Sequence, residues 1–159
     1  MKAKHHFWSS LAAGGALYWA TGSSAALAGS MVGGFLIDAD HIIDQLWSIR
    51  SGAPFRRKRA AEDLGDPTRA MWLGNFLRPR KLVRLPLLFH SYELLAMITV
   101  LTLGLRTPFL IGLLFGYVLH LALDMIRHHH EFRSPLFYLL SYRLLQRFRR
   151  DILIKPEYL

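Results

Sequence analysis

The sequence predicts an all-α integral membrane bundle of about four transmembrane helices, followed by a C-terminal amphipathic helix lying on the membrane surface. Three observations carry this expectation. Of the 159 residues 52% are hydrophobic and the mean hydropathy is positive, a composition too apolar for an ordinary soluble domain. The apolar residues gather into four runs, at about 7–20, 25–37, 85–103 and 108–126. The basic residues are segregated from those runs: ten of the 20 Lys and Arg lie between Arg50 and Arg84, and seven between Arg127 and Lys155. The whole chain, 1–159, reads as a single membrane domain.

The first run ends at Thr21-Gly22-Ser23-Ser24, and the second begins at Ala25. Each is shorter than the roughly 20 residues that cross a typical hydrocarbon core, so a thin hairpin is expected, with Gly14, Gly15, Gly29, Gly33 and Gly34 allowing close packing. The third and fourth runs are near spanning length and form a second hairpin through the turn Gly104 to Thr107. Both short turns then share one side of the membrane. The basic stretches share the other, which the positive-inside bias assigns to the cytoplasm together with both termini. A rival reading treats 1–28 as a cleaved signal peptide, with Lys2 and Lys4 before an apolar run and Ala26-Leu27-Ala28 resembling a cleavage site. It would export the Arg-rich loop against the charge bias, and it is disfavoured for that reason.

The loop at 50–84, densest at Arg56-Arg57-Lys58-Arg59, reads as cytoplasmic and suited to anionic lipid headgroups more than to nucleic acid. Residues 135–150 interleave Leu136, Leu139, Leu140 and Leu144 with Arg143, Arg147 and Arg150, the pattern of an interfacial helix. Trp8 and Trp19 near opposite ends of the first run suit interfacial anchoring rather than chemistry.

Without cysteine, a metal could be held only by imidazole and carboxylate. Such groups occur at four places: His5 or His6, Asp38-Ala39-Asp40-His41, His90, and His120 with Asp124. With the termini inside, all four lie at the cytoplasmic ends of the helices. His90 and His120 are expected roughly 8–9 Å inside their helix ends at about 1.5 Å per residue, where ionisable groups are costly unless paired or functional. His120 and Asp124, four residues apart, share a helix face, and His128 would occupy its next turn. The Asp38 and Asp40 carboxylates point the same way if the chain there is extended, whereas a helix brings Asp38 near His41. The candidate ligands are therefore His6, Asp38, Asp40, His41, His90, His120 and Asp124, with zinc the preferred cation and manganese or iron as alternatives. Ser91 is assigned a helix-start hydrogen bond or support for His90 rather than a nucleophilic role.

At these residues the chain resembles the YdjM-like family of bacterial membrane-bound metal-dependent hydrolases. The matching elements are His5 or His6, Asp38 to His41, His90-Ser91, and His120 to Asp124, in that order and over the chain up to about Arg127. Two departures stand out: Ile37 where the family usually has Pro, and Pro86-Leu87-Leu88-Phe89 where it has an additional His-Arg. The ligand pattern is also similar to that of zinc-dependent phospholipase C enzymes. The resemblance implies a hydrolase of the bacterial inner membrane, and a suggested link to the LexA repressor implies a cytoplasmic protein partner.

The expected activity is hydrolysis of a lipid or lipid-linked phosphoester at the cytoplasmic interface, by water activated on one or more divalent metals. Asp38 or Asp40 is the expected general base. The alternative is a non-enzymatic membrane adaptor, in which a structural metal or polar cluster holds the bundle and the basic surface recruits a partner. A transporter fits less well, because the polar residues gather at one face instead of forming a path across.

Overall fold

The computed structural model describes residues 3–40 and 87–158; the basic loop, His41, Trp47 and Trp72 lie outside the described residues. The described chain is helical, and its single extended pairing is an isolated antiparallel bridge between Phe132 and Ile154. Helix α1 spans Ala3–Thr21 and α2 Ser24–Gly34, followed by a 3-10 turn at Leu36–Asp38. Helix α3 spans Tyr92–Leu105 and α4 Pro108–His128. Beyond them come a 3-10 turn at Pro135–Tyr138, the short helices α5, Leu140–Leu145, and α6, Arg150–Leu153, and a last 3-10 turn at Pro156–Tyr158.

Local chemistry sets the boundaries. Gly22 ends α1 at φ +66°, a left-handed conformation that costs glycine least, and its N–H returns to Tyr18 O. Ser23, Ser91 and Thr107 each accept a hydrogen bond from a backbone N–H three residues on, capping α2, α3 and α4. The Ser91 cap is the helix-start role expected for it. Pro108 then occupies the first position of α4, where its missing N–H costs nothing.

Among the described residues, α4 is the helix both long and apolar enough to cross a membrane; α2 with its following turn, and α3, are apolar but shorter. The main packing unit is α2 against α4. A Cβ on Gly29 or Gly33 would strike the α4 backbone at Phe109 or Leu113, and one on Gly112 or Gly116 would strike the α2 backbone at Ala26 or Ser30. Small residues on both helices therefore let the two backbones touch, the device of close-packed membrane helices. Helix α1 joins this pair through Gly14, whose added Cβ would sit 3.1 Å from Leu27 O, and through a buried hydrogen bond from Ser30 Oγ to Ser10 O.

Two expectations change here. The third helix begins at Tyr92 instead of 85, so His90 lies in a turn ahead of the helix and not 8–9 Å along it. The continuous amphipathic helix expected over 135–150 is replaced by the Pro135–Tyr138 turn and α5. Helix α5 stops because Arg147 and Phe148 turn left-handed, at φ 52° and 56°, and Phe148 N–H closes on Arg143 O. The segment folds back, stacking Phe132 on Phe137 at 3.6 Å and building an apolar core from Ile98, Tyr117, Leu121, Phe137, Tyr138 and Leu153.

Candidate metal centre

The buried face of α4 carries Gly112, Gly116, His120 and Asp124 at successive intervals of four residues, a single ridge of the helix. Its first two positions have no side chain, so α2 seats directly on the backbone. That approach brings Gly34 O within 2.8 Å of His120 Nδ1. Helix α1 supplies His6, whose ring stacks on His120 with centroids 4.1 Å apart. The turn after α2 supplies Asp38, and the turn before α3 supplies His90.

Around one point lie His90 Nε2 and His120 Nε2, 2.9 Å apart. Asp124 Oδ2 is 3.5 Å from each nitrogen, and Asp38 Oδ1 is 3.5 Å from His90 Nε2 and 3.6 Å from His120 Nε2. His6 Nε2 stands 3.2 Å from the other Asp124 oxygen. One ligand atom from each of His6, Asp38, His120 and Asp124 lies within 4.8 Å of all the others, so this group could hold a metal ion. His6, His90, His120 and Asp124 are buried, and Asp38, with 23% of its side chain exposed, is the member that meets solvent.

The proton positions give the arrangement its chemistry. A carbonyl and a carboxylate only accept, so His120 Nδ1–H donates to Gly34 O, and His90 Nδ1–H donates to Asp40 Oδ2 at 2.9 Å. In neutral imidazoles both Nε2 atoms then present lone pairs to each other, beside two carboxylates. Neither nitrogen of His6 makes a hydrogen bond among the described residues, although both are buried. These nitrogens and the two carboxylates could share a positive charge, carried by a metal ion or by the proton of an imidazolium. Imidazoles whose second nitrogen is anchored on a carboxylate or a carbonyl, with carboxylates completing the set, match the donor chemistry of zinc and related divalent metals.

Of the expected residues, the fold brings His6, Asp38, His90, His120 and Asp124 together. His6 rather than the exposed His5 faces inward. Asp40 stands behind His90, its Oδ2 accepting from His90 Nδ1–H and from Phe89 N–H at 3.1 Å, and it lies outside the group of four that could hold a metal. His128 does continue the α4 helix, but its Nδ1 lies 2.8 Å from Glu131.

Two residues with no mark in the sequence complete the surroundings. Tyr117, fully buried on α4, shares its one hydroxyl proton between Phe89 O and Ser91 O at 2.7 and 2.8 Å and accepts from Ser91 N–H at 3.2 Å. Arg143, read from the sequence as a solvated cation of an interfacial helix, is fully buried, and its Nη2 donates to Leu87 O and His90 O at 3.0 Å each. Burial pushes its guanidinium down to about 10, against the opposing pull of Asp40 and Glu93, which leaves it cationic at neutral pH.

Fold and site together define a helical protein with, among the described residues, one candidate membrane span and a largely buried His/Asp group that could hold a metal. No family model matches the chain, and neither a curated protein nor a solved structure is similar to it. The His/Asp group is compatible with metal binding and does not by itself identify a family.

Proposed function

We propose that this chain is a multi-pass protein of the bacterial inner membrane, related to the YdjM-like hydrolases, that uses a divalent metal, zinc first and manganese or iron as alternatives, to hydrolyse a lipid or lipid-linked phosphoester at the cytoplasmic face. The observation that carries the reading is the pair of facing Nε2 atoms of His90 and His120, 2.9 Å apart and ringed by Asp38, Asp124 and His6. A four-span membrane arrangement is supported by the large apolar side chains turned outward on three helices, among them Trp8 and Trp19 on α1, Val100 and Leu103 on α3, and Phe115 and Ile126 on α4.

In this reading His6, Asp38, His120 and Asp124 hold the cation together with His90, whose Nε2 lies 2.9 Å from that of His120, and Asp40 and Gly34 O keep the two central imidazoles turned toward it. A divalent metal there supplies Lewis acidity toward a phosphoryl oxygen and brings the pKa of water toward neutrality. Asp38, the solvent-reaching member, accepts the proton of the attacking water. Substrate would then meet the cluster at Asp38, the member with exposed side-chain surface.

The test is metal analysis of detergent-purified protein, followed by a screen against phospholipids, lipid pyrophosphates and a generic phosphodiester. Stoichiometric metal with no turnover on any of them would remove the hydrolase assignment. The burial of His6, His90 and His120 favours the second reading, a membrane adaptor in which the metal only holds the helices and a cytoplasmic protein is the partner. The two separate on His120→Ala: an enzyme loses turnover while keeping its fold, whereas an adaptor loses mainly thermal stability.

A further inference from the structure

We infer that Arg143 is a positioning residue for the metal centre, and that the C-terminal segment is thereby a working part of a site to which, among the described residues, it contributes no ligand. This rests on reading the His/Asp cluster as a metal site.

His90 is the central ligand that does not sit in a helix. It ends the turn Leu87 to His90, closed by His90 N–H on Leu87 O at 3.0 Å, and Leu87 there adopts φ +29°, a left-handed conformation that a branched side chain avoids. Backbone in that region persists when its surroundings dictate it. Here they do so at almost every residue. Asp40 takes Phe89 N–H and His90 Nδ1–H, and the Tyr117 hydroxyl takes Phe89 O and both backbone groups of Ser91. Leu88 O accepts from Ser91 Oγ–H at 3.4 Å, and Arg143 Nη2 binds the carbonyls at the two ends of the turn, Leu87 O beside its bond from His90 N–H, and His90 O.

Arg143 reaches them from α5, and α5 is itself pinned beside the turn. Glu93, in the first turn of α3, accepts from Leu140 N–H and Ser141 N–H at 2.9 Å and from Ser141 Oγ–H at 2.8 Å. The same stretch that follows His90 therefore captures the helix that carries Arg143, and that helix returns its cation to the base of His90. A guanidinium with no exposed surface is an expensive way to fill a core, since an apolar side chain of similar volume packs there without desolvating a charge. Two directed bonds to the carbonyls flanking a ligand turn are what the apolar side chain could not supply. The guanidinium carbon also lies 5.4 Å from the Phe137 ring centroid, so the cation is seated on the segment's own core.

The test uses the full chain in detergent, with zinc as the probe in chelator competition, cobalt(II) absorption as a report on ligand geometry, and hydrogen exchange of the stretch 87–91. Arg143→Met should weaken zinc binding by roughly 10- to 100-fold, the range found when a residue supporting a ligand is removed. It should also shift the cobalt bands and speed exchange across 87–91. Arg143→Lys should recover part of the affinity, because one nitrogen makes both bonds and an ammonium can make both. A folded Arg143→Met protein with native zinc affinity and cobalt spectrum overturns the inference. If the Met variant does not fold, Arg143→Lys and Tyr117→Phe decide: native affinity in both overturns it, and a graded loss supports it. Should the unsubstituted protein bind no zinc or cobalt, the metal reading fails on its own; exchange at 87–91 then decides whether Arg143 positions the turn, and unchanged exchange overturns that too.

Discussion

The two halves of the α4 ridge use one helical register for opposite purposes. At Gly112 and Gly116 the ridge has no side chains, and α2 rests on bare backbone; at His120 and Asp124 it carries the groups that face His6, His90 and Asp38. The first half is useful for what it lacks and the second for what it holds. Neither works alone, because the hydrogen bond from His120 Nδ1 to Gly34 O forms only when α2 lies as close as the glycines allow. Dispersion and backbone proximity set the distance, and lone pairs then exploit it.

Adding a single methyl to the first half should have the largest effect. Gly116→Ala or Gly112→Ala places a Cβ against Ser30 or Ala26 backbone, which cannot yield as a flexible side chain can. Overpacking of this kind costs about 1–3 kcal/mol, and the two helices separate at the end that leads to the ligands. Thermal melts in detergent should show a clear drop in midpoint, together with reduced metal content. A native midpoint would mean that the halves are not coupled.

Next in size is the ligand half. His120→Ala should abolish stoichiometric metal in elemental analysis while helical circular dichroism is kept, and His6→Ala should do the same, with His5→Ala as the unaffected neighbour. Stripping metal from the unsubstituted protein should lower its thermal midpoint too, by about 2.7 kcal/mol of lost linkage if the free metal stands at 100 times its dissociation constant.

A smaller effect is expected one step behind the ligands. Asp40→Asn keeps the shape but weakens the acceptor that orients His90, and zinc affinity in chelator competition should fall by about 10-fold, at the lower end of what such supporting residues contribute. An unchanged affinity would make Asp40 an incidental neighbour of His90. The smallest effect belongs to a residue remote from both halves. Ser23→Ala removes the cap of α2 and should cost about 1 kcal/mol in unfolding experiments with no change in metal binding. A fall in metal affinity there would show that any loosening of α2 reaches the ligands.

The sequence by itself determined the helical class, the four apolar segments, the breaks at Thr21 to Ser24 and Gly104 to Thr107, and the residue types of the cluster. These follow from properties that act locally: hydropathy along the chain, a capping hydroxyl three residues before its N–H, and a four-residue interval that places His120 over Asp124. The extension of that interval back through Gly116 and Gly112 was not read from the sequence, because what a glycine on α4 rests against is set by α2. Tertiary structure alone decided that His6 faces inward and His5 outward, that Asp40 bonds the far nitrogen of His90, and that Arg143 is buried. An arginine among leucines carries the same local signature whether it meets water or two backbone carbonyls. The choice is made by Glu93, 50 positions earlier in the chain, through the helix it captures, and by the reversal at Arg147 and Phe148 that breaks the amphipathic pattern.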